Sequence, residues 1–532
     1  MYHHLKSLFG STRLDRIALA LIGIAFAIRL IIACLPVTAL AVWFVPDDSF
    51  YYFKISQHVA TGVGSTFDGE HLTNGYHPLW MLIVAGSMAI FGGLGEMAPV
   101  HAALILSAIL DTATLVLVYA IARKVFAHPA PRIAVLALVA LSPVQIGWAV
   151  NGLETSLAGL LAVTLAAFPI FYGAGRWPLR RLIIWGVLGG LMILARTDYG
   201  LYPFLLSTWY LWRNRTEFMR TALALALPAI AVVLPWVLWS WSAVGTPVQE
   251  SGLALTHTNR ELFFYKPRDV GTLILWSTYQ FLLALKMAIE QTGVAALTIA
   301  TALVVAVRVT LRRAYLSQLR AAIATDTAQV AWVIAGASLL LIFVHGALRW
   351  TPRDWYFIAP AILMTFLMVA GLRSLLESAP RRTLAMLGVI AVALFILTAV
   401  EIYPKHPAAR DMVATAYWLR EHTPADARIA AFNSGIYGYL SQRYVLNSDG
   451  LVSHDTFRAI RNRELLAFWQ RTGITHFLDF DIARTYRYRT FFGVPEIERY
   501  LNEVTTRSAP DSGYHGSQLR LYTVDYAPPM IR

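Results

Sequence analysis

Apolar residues arrive along this chain in long blocks, not in the alternating or amphipathic spacing of a soluble fold. Blocks occupy 17–45, 99–122, 133–149, 155–172, 182–195, 199–212, 221–244, 291–307, 329–347, 355–372 and 384–402. Most approach the roughly 20 apolar residues that a helix needs to cross a bilayer. Short basic clusters separate them: Lys6/Arg13/Arg16, Arg123/Lys124/Arg132, Arg176/Arg180/Arg181, Arg213/Arg215/Arg220, Arg308/Arg312/Arg313/Arg320 and Arg373/Arg381/Arg382. The positive-inside bias places these clusters in the cytoplasm. The alternate segments, 46–77, 150–154, 196–198, 245–270 and 348–354, carry acids or mixed charge and fall outside. The pattern predicts about eleven crossings, with the N-terminus in and the C-terminus out. Leu79–Leu94 and Leu273–Ala288 are apolar too, but a crossing by either would put the next basic cluster outside. Both are therefore expected as juxtamembrane or re-entrant helices.

After Ile402 the pattern changes. Pro404, Pro407 and Pro424 appear and charges become frequent. Arg410–His422 reads as an amphipathic helix, Arg428–Phe432 and Ile474–Leu478 as buried strands, and Asp455–Gln470 as a further helix. The division expected is a membrane domain, 1–402, with a first outer loop at 46–98, followed by a small soluble α/β domain at 403–532.

Composition agrees with a membrane class. Of 532 residues, 57% are hydrophobic and 14% charged, against about 25% charged in soluble domains. The net charge of +13 is scattered among the clusters and forms no nucleic-acid-binding stripe. The single cysteine, Cys34, excludes an intrachain disulfide framework and a cysteine-based metal site. The first apolar block exceeds the about 7–15 residues of a signal-peptide core, so a cleaved leader is not expected.

Candidate chemistry gathers in the outer segments. Asp47 and Asp48 follow Val45-Pro46 where the first block meets the interface; partial burial there raises a carboxylate pKa, which suits a general base, while an acid after proline also caps a helix. The same loop ends Thr73-Asn74-Gly75-Tyr76-His77-Pro78, whose Asn74, Tyr76 and His77 carry groups that hydrogen-bond a sugar or phosphate. Glu154, in Asn151-Gly152-Leu153-Glu154-Thr155, needs an acceptor hydroxyl, a cation or a basic partner beside its span. Arg196 and Asp198 either pair with each other or serve substrate. Arg349 and Arg353, among Trp350, Trp355 and Tyr356, suit a lipid-borne phosphate, with Lys54 and Arg196 as further candidates; ordinary lipid headgroups are the alternative ligand. Two aspartates with Glu154 or Asp198 would also suit a hard divalent cation, Mg, Mn or Ca.

The order of these pieces resembles the GT-C superfamily of membrane glycosyltransferases over about residues 1–400. The stretch Asp47–Trp80, with Asn151-Gly152-Leu153-Glu154-Thr155 downstream, looks most like arabinofuranosyltransferases of the AftB type, and is more distantly similar to protein mannosyltransferases and lipid A aminoarabinose transferases. Thr73–Pro78 departs from the arabinosyl pattern. The resemblance implies a polytopic helical bundle and inverting transfer from a polyprenyl-phosphate sugar to an extracytoplasmic glycan, lipid or protein. It further implies Asp47 as the base, with Asp48 tuning or orienting it, in a multi-pass protein of the cell inner or plasma membrane. A lipid transporter or flippase is the rival reading, and a structural assembly subunit a third. A transporter places ionisable groups at mid-bilayer; here Arg29, inside the first span, is the exception, and the acids and arginines of the loops gather at the outer face.

Overall fold

A computed structural model describes residues 13–262, 270–311, 325–348, 350, 352–378, 380–508 and 517–527. Helices of seven or more residues dominate the described chain before residue 403. They are α1 (Arg13–Ala33), α2 (Val37–Trp43), α3 (Asp47–Ala60), α4 (Pro78–Phe91), α5 (Ala98–Val125), α6 (Pro129–Leu141), α7 (Pro143–Ala149), α8 (Thr155–Tyr172), α9 (Leu179–Ala195), α10 (Leu201–Arg213), α11 (Phe218–Val244), α12 (Glu250–Leu262), α13 (Val270–Glu290), α14 (Ala295–Leu311), α15 (Asp326–Ala347), α16 (Ile358–Gly371) and α17 (Arg381–Ile402).

Among the described residues, six helices are long and apolar enough to cross a membrane unaided: α1, α5, α8, α11, α15 and α17, the fourth extended to begin at Arg215. Several predicted blocks break. The block 17–45 divides at Pro36, and Pro46 precedes α3. The block 133–149 divides at Ser142-Pro143, where α6 and α7 meet at 57°. Proline removes a helical donor there, and the Ser142 hydroxyl caps Gln145. The stretch 273–288 and the block 291–307, expected as separate elements, form one pair, α13 and α14, bent by 106°. Leu79–Leu94 is the short apolar helix α4 with a following turn.

Arg29 is fully buried and paired, not extended toward an interface. Its Nε lies 2.6 Å from Asp111 Oδ2 of α5, and its Nη1 donates to the Ala25 and Ala140 carbonyls. An uncompensated charge in that position would be strongly unfavourable, so the pair ties α1 to α5 and α6.

After α17 the chain forms α18 (Ala409–His422), β1 (Arg428–Ala431), α19 (Gly435–Leu440), β2 (Tyr444–Asn447), α20 (His454–Asn462), α21 (Leu465–Arg471), β3 (His476–Phe480), β4 (Leu501–Thr506) and β5 (Leu519–Val524). The helix expected over Asp455–Gln470 is two, because Arg463 turns left-handed at φ 57°. The sheet order is β2-β1-β3-β5-β4, parallel through β1, β2 and β3 and antiparallel at β5 and β4. Ile429, Ala430, Val445, Leu446, Phe477 and Leu478 are buried, which is why these short strands read as continuous apolar runs. The fold is thus a polytopic helical bundle with a small α/β domain docked on one end.

Candidate active site

Helix α3 lies at the junction of bundle and sheet domain, and successive residues on a helix point about 100° apart. Asp47 and Tyr51, four apart, share the stripe that meets the sheet domain. Asp47 accepts the Gly435 N–H at 3.1 Å and the Ile436 N–H at 2.7 Å, both in the first turn of α19. The Tyr51 hydroxyl donates to the Phe432 carbonyl and accepts from the Ser434 N–H. A Cβ at Gly435 would sit 2.2 Å from the Asp47 carbonyl oxygen, so only glycine allows this approach. Burial raises Asp47 to about 7, against the lowering effect of the two amides. The residue expected as the base therefore docks the second domain.

Asp48 and Tyr52 share the neighbouring stripe and face the bundle. Among the described residues, Asp48 accepts no hydrogen bond and makes no ion pair within 4 Å. Burial raises its pKa; Arg353 and then Arg487 lower it, and Glu154 raises it further. Arg353 is exposed and likewise makes no ion pair among the described residues. Its guanidinium lies 5.6 Å from the Trp355 ring centre.

Beside Asp48 runs a network of charged side chains. Glu154 is 3% exposed and takes Arg196 Nη1 at 2.7 Å and the Tyr52 hydroxyl at 2.9 Å. Arg196 reaches Asp198 at 2.9 Å through Nε, and Asp198 meets His345 Nε2 at 2.9 Å. Arg196 also lies 4.4 Å from the Tyr356 ring centre. The two carboxylates hold Arg196 firmly protonated, and Arg196 holds Asp198 well below the usual carboxylate range. His77 Nε2 stands 3.6 Å from Glu154, and burial lowers its pKa.

Several expected ligands are thus engaged elsewhere. Arg196 is neutralised by protein carboxylates and is not offered to a phosphate. Asn74 is fully buried; its amide donates to Ser240, Thr246 and Val248 and its oxygen accepts the Glu250 N–H. Tyr76 is 3% exposed and bonded to Ser65. Lys54 bonds Gln57 and lines a separate cleft of about 650 Å³, with His58, Glu96, Tyr439 and Arg443. Arg349 lies outside the described residues. Asp48, Glu154, Arg353 and Tyr356 do come together.

Of the carboxylates expected for a divalent cation, two are engaged by other groups. Asp47 faces N–H donors and Glu154 faces Arg196 and Tyr52. No group of three or more His, Cys, Asp or Glu stands close enough for a metal among the described residues.

Sequence reasoning missed the sheet domain's contribution. Asp449 is 7% exposed, accepts the Leu451 N–H at 3.0 Å, and is raised to about 7 by burial. Arg487 lowers that value and Asp48 raises it, so both sheet-domain residues lie within electrostatic reach of Asp48. Asn447-Ser448-Asp449-Gly450 after β2 reads only as a turn; nothing local reports what it faces.

Two family segments match this chain. Residues 77–239 match the dolichyl-phosphate-mannose-protein mannosyltransferase family, and residues 401–515 match a domain of unknown function, DUF8728. No curated protein matches by sequence. Among solved structures, ArnT from Cupriavidus metallidurans bound to undecaprenyl phosphate is 13% identical at a TM-score of 0.57, covering 95% of this chain and 97% of its own. The chain shares that protein's fold. The apo oligosaccharyltransferase of Archaeoglobus fulgidus agrees at 14% identity and a TM-score of 0.56, over 91% of this chain and 73% of that one. So does that organism's AglB in complex with an inhibitory peptide and a dolichol-phosphate, at 13% and 0.52, over 96% and 75%. Asp48 lies at the end of the bundle that carries the sheet domain.

Proposed function

We propose that this protein is an inverting glycosyltransferase that moves a sugar from a polyprenyl-phosphate carrier to an acceptor hydroxyl at the bundle end bearing the sheet domain. The observation that carries this reading is Asp48: a carboxylate with no partner among the described residues, opposite the free cation Arg353. Asp48 takes the proton of the acceptor hydroxyl as its oxygen attacks the anomeric carbon. The bond from that carbon to the phosphate oxygen breaks, and its electron pair leaves with the phosphate. Arg353 faces the charge that grows there. Glu154 and Tyr52, held rigid by Arg196, form the floor of the site, and Asp449 and Arg487 close it from the sheet domain.

The GT-C fold and the mannosyltransferase-family segment support this chemistry, as does the polyprenyl phosphate carried by structural neighbours. The charge bias of the loops supports an orientation in which Asp48 faces the non-cytoplasmic side of the membrane. An arabinofuranosyl donor is the finer reading, and it rests on the Asp47–Trp80 stretch.

The test supplies purified protein with a panel of polyprenyl-phosphate sugars and follows release of polyprenyl phosphate. Turnover with one donor, abolished in Asp48→Asn while the fold persists, is expected. Full turnover in Asp48→Asn ends the mechanism, and no turnover with any donor and acceptor ends the reading.

A further inference from the structure

The cleft beside Lys54 takes no part in the site described so far. It measures about 650 Å³ and opens between α3, the turn after α4 and the sheet-domain segment that runs from α19 into β2. That volume falls in the range of about 300–1,000 Å³ common to small-molecule sites. Lys54 is shifted by burial alone and Asp48 by other groups, so the cleft and Asp48 are electrically separate.

The charges on its wall do not balance. Both acids already have company. Asp68 meets His71 Nδ1 at 2.7 Å and accepts the Tyr444 hydroxyl at 3.2 Å. Glu96 lies 3.8 Å from Arg420 and accepts from Gln442. The two cations are not matched in this way. Lys54 spends one of its three donors on the Gln57 amide oxygen at 3.3 Å, and burial lowers its pKa with no carboxylate opposing the shift. Among the described residues, Arg443 donates only to the Arg420, Gln442 and Thr423 carbonyls and the Thr423 hydroxyl, which leaves its charge uncompensated. Two unmatched positive charges around one cleft favour a negative ligand.

The opposite wall is set at a membrane boundary. The turn Gly92–Leu94 leads into α5, which is long and apolar enough to cross a bilayer. Ile90 is 71% and Leu94 77% exposed, and Phe91 is exposed beside them. Gly92, Gly93 and Gly95 line the cleft, and a Cβ on any of them would meet nothing within 4 Å. Bare backbone is therefore all that separates this apolar surface from the two cations.

We propose that the cleft holds the headgroup of an anionic glycerophospholipid, with its phosphate at Lys54 and its acyl chains along Ile90, Phe91 and Leu94. Arg443 adds the second positive charge. His58 donates its Nδ1–H to the Thr66 carbonyl at 2.8 Å, which leaves Nε2 to accept a headgroup hydroxyl. A lipid in this position touches the first loop and the sheet domain together. The site does not depend on transfer chemistry at Asp48.

The test uses the full chain, delipidated in detergent, and equilibrium binding of radiolabelled phosphatidylglycerol and phosphatidylcholine. The wild-type protein is expected to prefer phosphatidylglycerol by about fivefold or more, the effect of one basic side chain at a lipid surface. Lys54→Met is expected to remove most of that preference, and Lys54→Arg to keep it. Gly93→Phe fills the cleft from an exposed position with open space and is expected to weaken phosphatidylglycerol binding severalfold. It keeps the test decisive if Lys54→Met does not fold. The net charge of +13 attracts any anion, but a preference of that origin survives both variants. No preference in the wild-type protein, or a preference unchanged in both variants, overturns the site. Displacement by millimolar inorganic phosphate or glucuronate as effective as by phosphatidylglycerol makes the ligand a soluble anion and overturns the lipid assignment. Polyprenyl phosphate binding weakened equally by Lys54→Met makes the cleft a carrier site and overturns it as well.

Discussion

The Asp47 carboxylate accepts the Ile436 N–H at 2.7 Å, so a residue at the start of α3 caps a helix 389 positions further along the chain. This contact, with its companion at Gly435, ties the sheet domain to the bundle within a few ångströms of Asp48. The acid pair therefore divides its work: Asp47 holds the second domain, and Asp48 has no hydrogen-bond or ion-pair partner among the described residues.

Asp47→Asn places an amide NH2 opposite two backbone donors and leaves one of them unbonded. A loss of about 1–3 kcal/mol in the docking of the two domains is expected. Gly435→Ala acts on the same contact by steric displacement. Limited proteolysis should release the sheet domain faster in both variants. Unchanged protection in both would mean that the two amide bonds do not hold the domains together.

Asp48 and Arg353 are coupled, and the coupling has a sign. The cation favours the ionised carboxylate, so its removal raises the Asp48 pKa above its already elevated wild-type value. A base works only when ionised. The acidic limb of the pH profile of kcat/KM is therefore expected above the ordinary aspartate range of about 4, and further up in Arg353→Gln. An acidic limb that moves down or stays still in Arg353→Gln would separate the two residues.

Arg196 serves the fold more than the substrate. Arg196→Met leaves Glu154 and Asp198 buried without their shared cation. A destabilisation of about 3–5 kcal/mol is expected, read as a lowered Tm in detergent. Loss of activity at an unchanged Tm would instead return Arg196 to the donor phosphate.

Arg29→Met strands Asp111 inside the bundle and is expected to lower stability by a similar amount, about 3–5 kcal/mol. The double variant with Asp111→Leu removes both charges and should recover most of the loss. No recovery would show that the carbonyl bonds of Arg29 to Ala25 and Ala140 matter more than the ion pair.

Blocks of apolar residues, the shift of composition after Ile402 and the two acids after Pro46 were all legible in the amino-acid order. Each follows from a local rule: a bilayer requires a run of apolar residues, a buried strand requires a short one, and an acid after proline starts a helix. These determined a helical membrane bundle with an α/β appendage and drew attention to α3. Only tertiary structure decided which aspartate docks the sheet domain, because adjacent helical residues differ by about 100° and the pattern carries no reference direction. Only tertiary structure clamped Arg196 between Glu154 and Asp198, and brought Asp449 and Arg487 within electrostatic reach of Asp48. Such pairings depend on distances in space between residues far apart in the chain, and no spacing within a segment encodes them.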